Sequence, residues 1–242
     1  CYNVFIMHQE PKYNLPASKL PEHKHDNKSD FRESFHWRIF RIMAEFVDGF
    51  QFLFDFKKTV TFFGSARFQP ENKWYQEAED LGRRLANDGF AIITGGGPGI
   101  MEAGNKGAYD ANGESVGINI QLAQEQRVNS YVKKSIGMHY FFTRKVMLSY
   151  AAWAYVFFPG GFGTLDEVFE LITLIQTKKV NAHIPIVLVG KDYWSGLLNW
   201  IDETVYKKYG GVDKEDTQIY TLVDTAAEAY EIVRKSKQRV EF

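Results

Sequence analysis

The stretch FFPGGFGTLDEVFE, residues 157–170, sets three glycines between an apolar run and a segment that carries Asp166, Glu167 and Glu170. Upstream, WAYVFFPGG (153–161) reads as a buried strand that runs into glycines. Downstream, TLDEVFELITLIQTKK (164–179) has apolar residues at helical spacing. A strand apolar on both faces and followed by a helix is the repeating unit of a parallel sheet covered on both sides. The unit recurs along the chain. TVTFFG (59–64), FAIITGGG (90–97), ESVGINI (114–120), IPIVLVG (184–190) and a short segment near 218–223 read as further strands. Helices are expected over 74–89, 99–111, 141–152, 193–210 and 224–237. The alternation predicts an α/β fold: a doubly wound, Rossmann-like parallel sheet with helices on both faces and right-handed crossovers. The β–α units are too few for an eightfold barrel.

Ahead of this domain, which spans 58–242, lie two segments of different character. Residues 1–30 are polar and broken by prolines, and read as an extended arm. His8, His23 and His25 fall there and read as solvated side chains rather than a metal site. Residues 31–57 read as an amphipathic helix: Phe35, Ile39, Ile42, Met43 and Phe46 recur at helical spacing, with Arg32, Glu33, Arg38, Arg41 and Glu45 between them. This N-terminal helical extension is expected to pack on the main domain or on a second subunit. Hydrophobic residues make up 45% of the 242, enough for a large core, and the formal net charge of −1 favours neither nucleic acid nor membrane as a partner. Cys1 is the only cysteine, so an internal disulfide framework and a cysteine-based zinc site are ruled out. The first residues lack a basic segment followed by an apolar run, and apolar stretches fall short of the roughly 20 residues that cross a bilayer. A soluble, cytoplasmic protein is expected.

In such a sheet ligands bind at the carboxyl ends of the strands, where the strand order switches. Three glycine-bearing turns fall at strand ends: FFGSAR (62–67), TGGGPGIM (94–101) and PGGFGT (159–164). Glycine lets backbone approach a ligand, and a helix that starts just afterwards aims free N–H groups at an anion. Neither the G-x-G-x-x-G fingerprint nor a phosphate-binding loop ending in Gly-Lys-Ser/Thr occurs. The turns therefore point to a phosphate-bearing ligand outside those two cofactor classes. The acids need a separate account. Thr164-x-x-Glu167 has the spacing of a capping box, in which Glu167 reaches back to the Thr164 N–H. Otherwise a carboxylate beside a phosphate is unfavourable unless it has chemistry to do. Cleavage of a glycosidic bond is such chemistry, because its oxocarbenium-like transition state is stabilised by a nearby negative charge. Phosphate at one end and a carboxylate at the sugar suit a nucleoside monophosphate.

With GGGPGIMEA (95–103), FFTRKVML (141–148) and PGGFGTLDE (159–167) on the same chain, the sequence resembles the LOG ("lonely guy") family of nucleoside 5′-monophosphate phosphoribohydrolases, long labelled lysine-decarboxylase-like. The family pattern P-G-G-x-G-T-x-x-E is met at every fixed position, and an Arg-Lys pair precedes it. The resemblance implies that Glu167 is the catalytic carboxylate at the ribose, with Arg144 as the second catalytic residue. It implies that Gly160, Gly161, Gly163 and Thr164 hold the 5′-phosphate, that Gly95, Gly96, Gly97, Gly99 and Met101 line the nucleotide site, and that Ser65 and Lys145 add polar contacts. It also implies a purine nucleoside monophosphate as substrate, no metal or other cofactor, and a homodimer or higher homo-oligomer. This chain has FFTRK where the short plant-type enzymes carry His-x-Arg-Lys, and Glu102 where they have glycine. Both positions could touch the base. His139, just ahead of the Arg-Lys helix, reads as structural rather than as a general acid. A molybdenum-cofactor carrier of the same superfamily would use the same turns without chemistry. So would a nucleotide-responsive regulator, with the 30–56 helix transmitting the signal.

Overall fold

A computed structural model of the chain describes residues 35–120, 128–150, 152–180 and 183–237. The expected arm over 1–30 lies outside them. Two compact units are distinguished, residues 1–39 and 40–242. Of the first, only the opening residues of the first helix are described; the sheet and the remaining helices all belong to the second.

Seven strands form one parallel sheet: β1 (Thr59–Phe63), β2 (Ala91–Thr94), β3 (Ser115–Ile120), β4 (Lys134–Met138), β5 (Ala154–Phe157), β6 (Ile186–Val189) and β7 (Tyr220–Val223). Their order is β4-β3-β2-β1-β5-β6-β7, so β1 is central. The helices are α1 (Phe35–Phe54), α2 (Lys73–Asn87), α3 (Ile100–Asp110), α4 (Phe141–Tyr150), α5 (Phe162–Gln176), α6 (Lys191–Trp200) and α7 (Ala226–Val233). The expected doubly wound, Rossmann-like architecture is present. Two departures are local. β4 is a strand that the apolar pattern does not announce: it is an edge strand paired only with β3, and four of its five residues are exposed or half-buried, so it lacks the apolar run that marks the inner strands. The single helix expected over 193–210 keeps α geometry over Lys191–Trp200 and continues in the wider π form over Ile201–Lys208.

Strand side chains alternate between two cores because successive residues point to opposite faces. Val60, Phe62, Ile92, Val156 and Val187 face one side, where α2, α3 and α7 supply Leu81, Leu85, Ile100 and Ala229. Phe63, Ile93, Tyr155, Phe157 and Leu188 face the other, against Leu53, Met147, Leu148, Leu171 and Trp194. α1 does not present one apolar face, as the spacing implied. Ile42 and Phe46 are half-buried, while Phe40, Met43, Val47 and Phe54 are exposed. Among the described residues no helix is long and apolar enough to cross a membrane.

The order of the strands fixes where a site can form. The chain leaves β1 toward β2, β3 and β4, then returns through α4 to place β5 on the opposite side of β1. The turns after β1 and β5 therefore diverge, opening a crevice at the carboxyl edge.

Candidate active site

The crevice holds a cavity of about 930 Å³, lined by the turns after β1, β2 and β5, by the start of α5 and by α4. Of the residues expected at a site, Ser65, Gly95, Met101, Arg144, Lys145, Gly160, Gly161, Gly163, Thr164 and Glu167 line it. Gly96, Gly97 and Gly99 stand behind it. Gly96 has φ +71°, and a Cβ there would collide with the Asn119 amide. The Gly97 carbonyl accepts from Asn129 Nδ2 at 3.0 Å. Gly99, at φ +70°, lets the start of α3 close on the first turn, where the Ile100 N–H donates to the Ser65 carbonyl at 3.0 Å; a Cβ would strike that carbonyl. These three glycines shape the loop that carries Gly95 and Met101.

α5 begins earlier than the capping-box spacing implied. Gly161 is its N-cap, with no side-chain capping bond, and the first intrahelical bond runs from the Leu165 N–H to the Gly161 carbonyl at 3.1 Å. Thr164 and Glu167 therefore lie inside the helix, and of the two readings of their spacing the capping box does not form. The consequence for chemistry is direct. The N–H groups of Phe162, Gly163 and Thr164 have no partner within the helix and stand at the cavity, an anion-binding arrangement. Around Gly161 and Gly163 a Cβ would meet nothing within 4 Å, so the space before them is open. Glu167 does not fold back onto its backbone. It is 7% exposed, its Oε2 has no hydrogen-bond partner among the described residues, and it lines the cavity.

Burial raises the Glu167 pKa from an ordinary 4.5 to about 7. Lys145 and Arg144 oppose that rise, while Glu170 and Asp166 add to it. Arg144 comes from α4, and its Nε donates to the Ile118 carbonyl at 2.8 Å. A Cβ on Gly95 would occupy the place of the Arg144 Nη2, so only glycine at 95 leaves room for the guanidinium. Burial lowers the Arg144 pKa, and the Glu167 charge works against that. Lys145 is committed elsewhere: its Nζ lies 2.8 Å from Asp166 Oδ2 and 2.9 Å from Glu170 Oε2. Burial disfavours its ammonium, but these bonds outweigh burial and hold its pKa above the ordinary lysine value. Lys145 thus offsets the charges of Asp166 and Glu170, and among the described residues no ion pair engages Glu167.

Two polar lining residues, Arg67 and Tyr193, are not among the site residues expected from the sequence. Arg67, in the FFGSAR turn, is exposed and has no carboxylate partner among the described residues. Its place beside a glycine turn at a strand end was the available signal. Tyr193, at the start of α6, donates from its hydroxyl to the Gly160 carbonyl at 2.7 Å and pins the PGGFGT turn; nothing local in the sequence marks it. Glu102 is not part of the lining, because its Oε1 accepts from the Tyr75 hydroxyl at 3.0 Å. Of the FFTRK run, Phe141 lines the cavity, and so do Arg144 and Lys145. His139 does not line it and stacks edge-on against Tyr140.

The fold is thus a Rossmann-like sheet with an open helix N-terminus and a buried carboxylate at one crevice. Residues 101–233, more than half of the chain, match the family model described as "Possible lysine decarboxylase". The chain is 29% identical over 193 residues to the cytokinin riboside 5′-monophosphate phosphoribohydrolase LOG of Oryza sativa subsp. japonica, covering 76% of this chain and 74% of that protein. It is 27% identical over 191 residues to a cytokinin riboside 5′-monophosphate phosphoribohydrolase of Arabidopsis thaliana, covering 76% and 83%. The chain belongs to the LOG family. Among solved structures, the fold is similar to the molybdenum cofactor binding protein of Rippkaea orientalis, with a TM-score of 0.56, 20% identity and coverage of 74% of this chain and 96% of that one. It is also similar to the molybdenum cofactor carrier protein of Chlamydomonas reinhardtii, with a TM-score of 0.55, 20% identity and coverage of 74% and 97%.

Proposed function

We propose that this chain hydrolyses the N-glycosidic bond of a purine nucleoside 5′-monophosphate, AMP or N6-modified AMP, to the free base and ribose 5-phosphate. One observation carries the reading: the unpaired Glu167 carboxylate shares a cavity with the open N-terminus of its own helix. The 5′-phosphate binds at the Phe162, Gly163 and Thr164 N–H groups, with the Arg67 guanidinium as its counter-charge. The ribose then extends toward Glu167, and the base lies against the apolar lining of Met101, Phe141 and Leu148. As the bond from C1′ to the base breaks, positive charge develops on the sugar and the Glu167 carboxylate stabilises it. Water supplies OH to C1′ and a proton to the departing base. Lys145, and after it Arg144, favour the charged form of Glu167 by opposing the effect of burial.

The likeness to molybdenum-cofactor proteins favours a second reading, a carrier that binds its ligand without turnover. That reading leaves an unpaired buried carboxylate without a task, since beside a phosphate it only weakens binding. Incubation with AMP and with adenosine, followed by chromatography for adenine, separates the two. Adenine from AMP, and at least 100-fold less from adenosine, supports the hydrolase with a phosphate anchor. Tight AMP binding with no adenine supports the carrier.

A further inference from the structure

α1 ends far from α4 in sequence yet supplies the groups that α4 lacks at its start. α4 has no acidic residue in its first turn, and its leading N–H groups need acceptors. Glu45 places a carboxylate there and binds the chain on both sides of the helix start. The His139 N–H donates to Glu45 Oε1 at 2.7 Å, the Tyr140 N–H donates to Oε2 at 3.3 Å, and the Thr143 hydroxyl donates to Oε2 at 2.6 Å. Both carboxylate oxygens are thus engaged at the positive end of α4. Arg144 and Lys145 follow Thr143 directly. The seating continues along the helix. Gly49 rests against the Met147 and Met138 side chains so closely that a Cβ would collide with both, and Phe50 meets Tyr150 edge-on at 4.7 Å. Such an attachment fixes where the first turn of α4 sits, and hence where the Arg144 guanidinium enters the pocket between Gly95 and Ile118.

We propose that Glu45 is a positioning residue for the reaction, acting through the start of α4 to hold Arg144 in the cavity it shares with Glu167. The inference rests on the hydrolase reading above. It gives the helix ahead of the sheet a task in catalysis, not only in packing. Removing the carboxylate frees the first turn of α4, and a shift of about 1 Å at a catalytic group costs on the order of 100-fold in rate. It also has an electrostatic signature. The charges around Glu167 are Arg144 and Lys145 from α4, Asp166 and Glu170 from α5, and Arg67 from the turn after β1. If Arg144 withdraws, a charge that opposes the high pKa of Glu167 is lost, and the acidic limb of the pH–rate profile moves to higher pH.

The test compares Glu45→Ala, Glu45→Gln and Asp48→Asn, a loss of one negative charge on the same helix at an exposed side chain. AMP hydrolysis is followed from pH 5 to 9, and thermal unfolding is recorded for each. The expected result is a fall in kcat of about 10- to 100-fold for Glu45→Ala with its acidic limb shifted upward. Glu45→Gln, which keeps one acceptor, should recover part of the rate, and Asp48→Asn should match wild type in rate and profile. Wild-type kcat and pH profile in Glu45→Ala overturn the role, whatever its unfolding temperature. Should that variant fail to fold, Glu45→Gln decides: a threefold or greater loss of kcat with the shifted limb supports the role, and a smaller loss or an unmoved profile rejects it. Wild-type protein assayed alongside keeps the two claims apart. No adenine from wild type rejects the hydrolase reading, and adenine released equally by wild type and Glu45→Ala rejects only the role of Glu45.

Discussion

Burial holds the Glu167 carboxyl near pH 7, so the side chain passes between its neutral and charged forms around neutrality. The same fact carries a cost in stability. The folded-state value lies above that of a solvated glutamate, so the folded chain binds this proton more tightly than the unfolded chain. The contribution favours folding in full below about pH 4.5 and fades as pH rises through about 7. Glu167→Gln, which cannot ionise, should therefore be stabilised relative to wild type at pH 8 by on the order of 2 kcal/mol more than at pH 5. Thermal unfolding at the two pH values measures this, and an equal difference at both would show that the carboxylate is not desolvated. At this scale the motif pointed to two positions, Glu167 and Arg144, that share a cavity. It did not reveal that Gly161 takes the N-cap and moves Thr164 and Glu167 into the helix. A capping box and an interior pair have the same local spacing, and only the point where the helix begins separates them. Nor could it show that Lys145 is tied to Asp166 and Glu170, because that pairing crosses from α4 to α5.

Helices were legible where their apolar spacing was strong, and strands where both faces are buried. β4 escaped because an exposed edge strand has no reason to be apolar. Glu45 fell between apolar residues and so looked like part of a solvated face; its use as the cap of α4 depends on a partner 94 residues away. The contact between α2 and α3 is another feature set by the pairing of elements. Gly82 faces the Gly104 carbonyl, and Gly107 faces the Glu79 carbonyl, so the two backbones approach without intervening side chains. A Cβ on Gly107 would meet backbone that cannot rotate away. Gly107→Ala should destabilise the fold by about 1–3 kcal/mol although alanine is the better helix former. Urea unfolding checks this, and an unchanged or raised midpoint would show that the helices can part at little cost.

The crevice belongs to the molecule as a whole. Its parts come from residues 62–68, from 95–101, from 141–148 and from 159–167, and the strand order alone brings them to one edge. The sequence could indicate that three glycine turns lie at strand ends, because strands in a parallel sheet share a direction. It could not fix which turns flank the switch point, since that depends on the return from β4 to β5. The family membership, the open start of α5 and the unpaired Glu167 bear on one claim: a carboxylate faces a sugar whose phosphate is held by the helix that carries it. The most direct test is the Glu167→Gln protein with AMP, measured for binding by calorimetry and for adenine release by chromatography. Binding at least as tight as wild type is expected, with adenine release reduced by at least 1,000-fold, about 4 kcal/mol of transition-state stabilisation. Adenine release at the wild-type rate from that variant would contradict that claim.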